Sequence, residues 1–194
     1  MKYIVLILIL LSVGCVSTSN NPSVTKAKVN GKYEILGAKI YSPSNQDWYL
    51  IQHAQYSVTF GMIPTNTDSA IANVTLFKIG DFEDDKAFLE SIMATKSKNN
   101  DEERWRNSVV ENKLVTFKGN SCFNYKTIAE DHKSKSKSEN SFQYFNTLGT
   151  VCRHPTHKGL AVQAEFSYRA DSKEIPESIQ TVADKFLSTL ELIN

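Results

Sequence analysis

Past residue 30, apolar and polar positions alternate along much of the chain, a period of two that marks strands with one buried face. "YEILGAKIY" (33–41), "WYLIQ" (48–52) and "YSVTFGM" (56–62) are short runs of this kind. Pro43, Asn45 and Asp47 punctuate the first gap and suit a turn. "ANVTLFKI" (72–79) follows, with Ala72, Val74 and Leu76 on one face. The clearest alternation is "LAVQAEFSYR" (160–169). Val162, Ala164, Phe166 and Tyr168 point one way there; Gln163, Glu165, Ser167 and Arg169 point the other. Between these runs, residues 104–132 predict two or three antiparallel strands with a turn at Gly119 and Asn120. Within them, Trp105 is expected to face inward and Arg104 and Arg106 outward.

Two segments switch to a helical period. Glu83, Asp84 and Asp85 crowd the start of the first, about 82–97, and Lys96 and Lys98 its end, an order that complements the helix dipole. Phe88, Leu89, Ile92 and Met93 fall on one face. The second, about 176–191, opens at Pro176 and carries Ile179, Val182, Ala183, Phe186, Leu187 and Leu190 as its apolar stripe. Strands, helix, strands, helix is an α+β order: an antiparallel sheet of about six to eight strands with two helices packed on it. "HKSKSKSEN" (132–140) breaks every period. It predicts a solvated loop tip, with a basic patch for anionic lipid or polyanion as the alternative.

Over residues 33–193 this element order resembles the PsbP-like domain group. The resemblance implies an antiparallel sheet flanked by helices, an accessory or binding role, and no shared catalytic site.

The first residues follow a different logic. Lys2 gives a short positive start, Ile4 to Leu11 run unbroken and apolar, and Ser12, Val13 and Gly14 lead into Cys15. The run is shorter than the ~20 residues a spanning helix needs, so it predicts an export signal. "LSVGC" (11–15) resembles the lipobox of bacterial lipoprotein precursors. That resemblance implies cleavage after Gly14 and a diacylglycerol, often with a further acyl chain such as palmitate, on Cys15. Val16 rather than aspartate follows the cysteine, which in a two-membrane envelope implies the outer membrane, facing the periplasm. With one membrane, the domain sits on the outer face of the cytoplasmic membrane. Residues 16 to about 30 are polar and aperiodic and predict a tether. The organisation expected is therefore signal 1–14, lipidated Cys15 and tether to 30, and one globular domain over 31–194.

Composition narrows the function classes. Lysines and arginines number 22 against 21 acids, and loss of Lys2 with the signal equalises them. No basic excess points to nucleic acid. The chain lacks a Gly-x-Ser-x-Gly elbow, a phosphate-binding glycine loop, Cys-x-x-Cys and His-Glu-x-x-His, so no cofactor and no enzymatic role are expected.

What chemistry remains lies in "CRHPTH" (152–157). With Cys15 lipidated, Cys122 and Cys152 are left as a pair, and an exported pair is expected to form a disulfide. The alternative is a Cys₂His₂ zinc set completed by His154 and His157, the latter two serving also as hydrolase candidates. A small-ligand carrier is a further alternative, with Trp48, Tyr168 and Arg169 as its binding candidates. The first expectation is a membrane-anchored, non-catalytic domain that binds an envelope partner or assists an assembly.

Overall fold

The alternation at 160–169 becomes the central strand of a long antiparallel sheet. The computed structural model describes residues 25–45, 47–63, 67–98, 101–134 and 140–193. The signal segment, Cys15, the tether up to residue 24 and residues 135–139 of the Lys/Ser loop lie outside the described residues. In chain order the strands are β1 (Thr25–Lys26), β2 (Lys32–Ile35), β3 (Ala38–Tyr41), β4 (Tyr49–Ala54), β5 (Ser57–Met62) and β6 (Ser69–Lys78). After helix α1 (Asp85–Lys98) come β7 (Trp105–Phe117), β8 (Asn120–Asp131), β9 (Gln143–Arg153) and β10 (Leu160–Ala170). Helix α2 (Glu177–Ser188) and β11 (Glu191–Leu192) end the chain. Eight strands pair in the order β1-β4-β5-β6-β10-β9-β8-β7, and a separate sheet of three runs β11-β3-β2. The molecule is sheet-dominated and compatible with the α+β class expected, the eight-stranded sheet being joined by a small three-stranded one.

The two faces of the large sheet carry different layers. Val162, Ala164, Phe166 and Tyr168 join Val58, Phe60, Val74 and the small sheet's Ile40 in the main core, which α2 closes with Ile179, Ala183 and Phe186. Ala161, one residue out of phase, packs with Phe123, Val151, Phe88 and Ile92 beneath α1 on the other face. The second core covers only one end of its face. Beyond it that face stays open and carries Thr59, Asn73, Gln163 and Glu165.

Both helices differ slightly from their expected bounds, for local reasons. Asp84 accepts a hydrogen bond from the Ala87 amide at 2.7 Å, so α1 begins one residue after this cap, later than the acids alone predicted. Met93, expected on the buried face, is 42% exposed. The amide of Thr189 bonds back to Phe186 and Leu187, ending α2 before Glu191 and Leu192 turn into β11 beside β3. The tether expected to reach residue 30 also yields to structure at its described end: Thr25 and Lys26 pair with Leu50 and Tyr49.

The turn between β7 and β8 falls one residue earlier than Gly119-Asn120. Phe117 pairs with Asn120, so Lys118 (φ 49°) and Gly119 (φ 82°) form the two-residue turn. Two successive left-handed residues suit the twist of a tight hairpin.

Candidate functional site: a groove beside the disulfide

The register of β8 and β9 places Cys122 directly opposite Cys152. Their Cα atoms lie 4.0 Å apart and the sulfurs are bonded, 30 residues apart in sequence. The bridge ties the outer hairpin β7–β8 to the central strands on the face that α2 covers, and both cysteines are fully buried in the main core.

Beyond the bridge, α2 and the sheet separate into a groove of about 570 Å³. Alternation decides what lines it. From Cys122 the residues two and four ahead, Asn124 and Lys126, point the same way; from Cys152 the residues two and four back, Thr150 and Leu148, do too. Leu148, Phe117 and Leu187 form the apolar part of its lining, each partly buried against the core. The sheet-side rim carries Glu111, Lys113 and Lys126, all exposed. The helix-side rim carries Asp184, which accepts from Gln180 at 2.9 Å, and Ser188, which donates to the Lys185 carbonyl at 2.7 Å. Lys118 Nζ donates to the Leu190 carbonyl at 2.8 Å and so holds the hairpin tip to the end of α2. A partly apolar floor between rims of both charges suits binding; the lining offers neither an imidazole nor a thiol.

His154 and His157 lie close, with ring centroids 4.8 Å apart. His154 is only 5% exposed, and its Nδ1 accepts from the amides of Thr156 (3.3 Å) and His157 (3.2 Å). Burial, with His157 beside it, lowers its pKa. Its ring covers Gly37, whose φ of +83° and missing Cβ make room for it. With both sulfurs in the disulfide, the proposed Cys₂His₂ set has lost its thiolates, and no group of three or more metal-ligating side chains is found among the described residues.

The three ligand candidates are not brought together. Trp48 is 1% exposed and packs on Phe166 inside the core. Tyr168 shares that side of the sheet and donates to Asp68 at 2.6 Å; burial and this bond raise its pKa. It lines a second cavity, about 530 Å³, with Asp171, Glu174 and Glu177. Arg169 points to the opposite face, as adjacent strand residues must.

There it belongs to a cluster that the residue pattern alone did not reveal. Asp131, fully buried, accepts from Arg104 Nε and Nη2, both at 3.0 Å, and pairs with Arg169 at 2.8 Å. Burial raises the carboxyl's pKa, but the two guanidiniums outweigh that and the net shift is downward. Arg104, expected to face outward, thus clasps the entry of β7 to the end of β8, while lying 4.4 Å over the ring of the half-buried Trp105. On the same face Tyr125 donates to the Glu165 carboxylate; burial, then that charge, holds its pKa well above the phenol range.

The chain forms an antiparallel-sheet domain with a groove under its second helix. Compared with known protein families and with curated proteins, the chain matches none. Among solved structures it is similar to a protein of Bacteroides thetaiotaomicron, at a TM-score of 0.44 and 16% identity. The alignment covers 86% of this chain and 50% of that one, so the chain spans about half its length. A likeness of that degree says nothing about function.

Proposed function

We propose that this chain is an exported bacterial lipoprotein, anchored through Cys15, whose folded domain binds a partner of the cell envelope without catalysing a reaction. The observation that carries the binding role is the groove between α2 and strands β7–β9, with Leu148, Phe117 and Leu187 in its floor and Lys113, Lys126 and Asp184 on its rims. Apolar contact supplies affinity there, and rims of both charges set orientation. The lipobox-like "LSVGC" supports the anchor, and helices on both faces of an antiparallel sheet support a place in the PsbP-like group. No helix among the described residues is long and apolar enough to cross a membrane. A small-ligand carrier is the second reading, because the groove volume falls within the ~300–1,000 Å³ range of ligand pockets. A hydrolase built on His154 has less support, since Nδ1 of that residue already serves two backbone amides.

The test is crosslinking of the full-length protein in its native envelope, followed by recovery, with and without the paired substitutions Lys113→Glu and Lys126→Glu. A defined partner lost in the substituted protein supports the reading. Recovery unaffected by the substitutions moves the site elsewhere, and no partner beside measurable turnover overturns it.

A further inference from the structure

Three isoleucines are exposed near one edge of the sheet: Ile51 by 56%, Ile63 by 76% and Ile71 by 43%. Their placement follows from the pairing. Ile71 lies directly opposite Gly61. Phe60 and Met62 on either side of Gly61 point into the main core, so Gly61 turns to the other, open face, and Ile71 with it. Ile51 reaches the same spot from β4: a Cβ on Gly61 would stand 2.4 Å from its Cδ1. The irregular pairing of β4 between Leu50 and Gln52 is what lets Ile51 lie across the glycine. Ile63 follows Met62 directly after the end of β5. Tyr49, paired with Gly61, and Lys26, paired with Tyr49, extend the patch to the sheet edge. Strands β4, β5 and β6 contain no aspartate or glutamate.

The chain enters the fold at this same edge. Thr25 is opposite Leu50, one residue from Ile51. Ten residue steps separate Cys15 from Thr25, and at ~3.5 Å each they span at most about 35 Å. The patch and the anchored cysteine are therefore on one short leash, while α2 and the groove lie on the opposite face.

From this we infer that the Ile51–Ile63–Ile71 patch rests on the bilayer that holds the anchor, seating the isoleucines at the boundary of headgroups and acyl chains. The inference rests on the lipid-anchor reading and deepens it: the domain has a fixed orientation on the membrane, with the groove turned away from the surface. Lys26 at the rim suits anionic headgroups, and the acid-free strands oppose no charge to them. The exposed apolar surface then has an occupant of matching chemistry.

The experiment uses the full-length lipidated protein. With Cys15 acylated and Cys122 bonded to Cys152, a single Ile71→Cys or Ile51→Cys substitution supplies the only free thiol for a nitroxide label. Thr181→Cys, on the exposed side of α2, is the control. The samples are mixed phosphatidylethanolamine–phosphatidylglycerol vesicles, with label depth read from oxygen against nickel-chelate relaxation. The expected result is immersion of the labels at 71 and 51 by about 5–10 Å, with the control in water. Labels that stay aqueous on a protein that floats with the vesicles and carries the lipid mass overturn the membrane contact alone. Absence of both flotation and lipid mass removes the anchor reading, and the contact with it.

Discussion

Single residues hold this fold at three points whose physics differs. The disulfide closes a separation of 30 residues, for which loop entropy predicts roughly 3.5 kcal/mol. Cys122→Ser with Cys152→Ser should therefore lower stability in denaturant titration by about that amount. The buried Asp131 balances two arginines, so Asp131→Asn leaves the Arg104 and Arg169 guanidiniums facing each other, and chemical unfolding should register a loss of about 2–3 kcal/mol. His154 supplies a pH response. Its folded pKa lies below the ordinary 6.5, so the unfolded chain takes the proton first. Its stabilisation is complete above about pH 6.5 and is lost as the pH falls through that value toward the lower folded pKa. His157 is the titratable group beside it. Melting temperatures measured between neutral and mildly acidic pH should fall less steeply for His154→Asn than for the parent. An equal slope in both would assign the response elsewhere. The cysteine pair was foreseeable by counting; the two arginines on Asp131 and the Gly37 backbone under the His154 ring are remote in sequence and come together only in the fold.

Individual elements show where periodicity is informative and where it stops. The strand at 160–169 was legible because Val162, Ala164, Phe166 and Tyr168 all face the main core, although Ala161 and Ser167 on the other face are buried as well. Helix α2 was legible through its stripe, although its last turn gives way to β11, a pairing with Lys39 and Ala38 that local sequence does not encode. β7 was harder: its burial pattern is mostly exposed because it is an edge strand, so the contrast that reveals a face is weak. The groove was illegible for a related reason. Its residues come from β7, β8, β9 and α2 and meet only through register, although the expected bridge between Cys122 and Cys152 would have placed Asn124, Lys126, Leu148 and Thr150 on one face. Lys126 is exposed and packs into no core, so Lys126→Glu should leave stability within about 0.5 kcal/mol by thermal unfolding while weakening partner recovery. Gly37 is the opposite case. Gly37→Ala forces a side chain into the left-handed region and toward the His154 ring at 2.6 Å, which should cost about 1–3 kcal/mol in the same assay.

At the scale of the whole molecule, the sheet separates two surfaces. One carries α2, the small sheet and the groove; the other is covered by α1 at one end and open at the other, where the isoleucine patch meets the entering chain. On the proposed reading the domain acts where its anchor holds it, so the anchor is what most needs testing. The lipobox-like stretch is a reading of the sequence alone, since the cleavage and acylation proposed there would need no tertiary context, and it lies outside the described residues. The groove is a product of the fold. The most direct measurement is intact-mass and N-terminal peptide analysis of the protein isolated from its native envelope. The expected product is a chain that begins at Cys15 and carries a diacylglycerol, with or without an amide-linked acyl chain. A chain retaining Met1, or one beginning elsewhere with an unmodified Cys15 thiol, would contradict it.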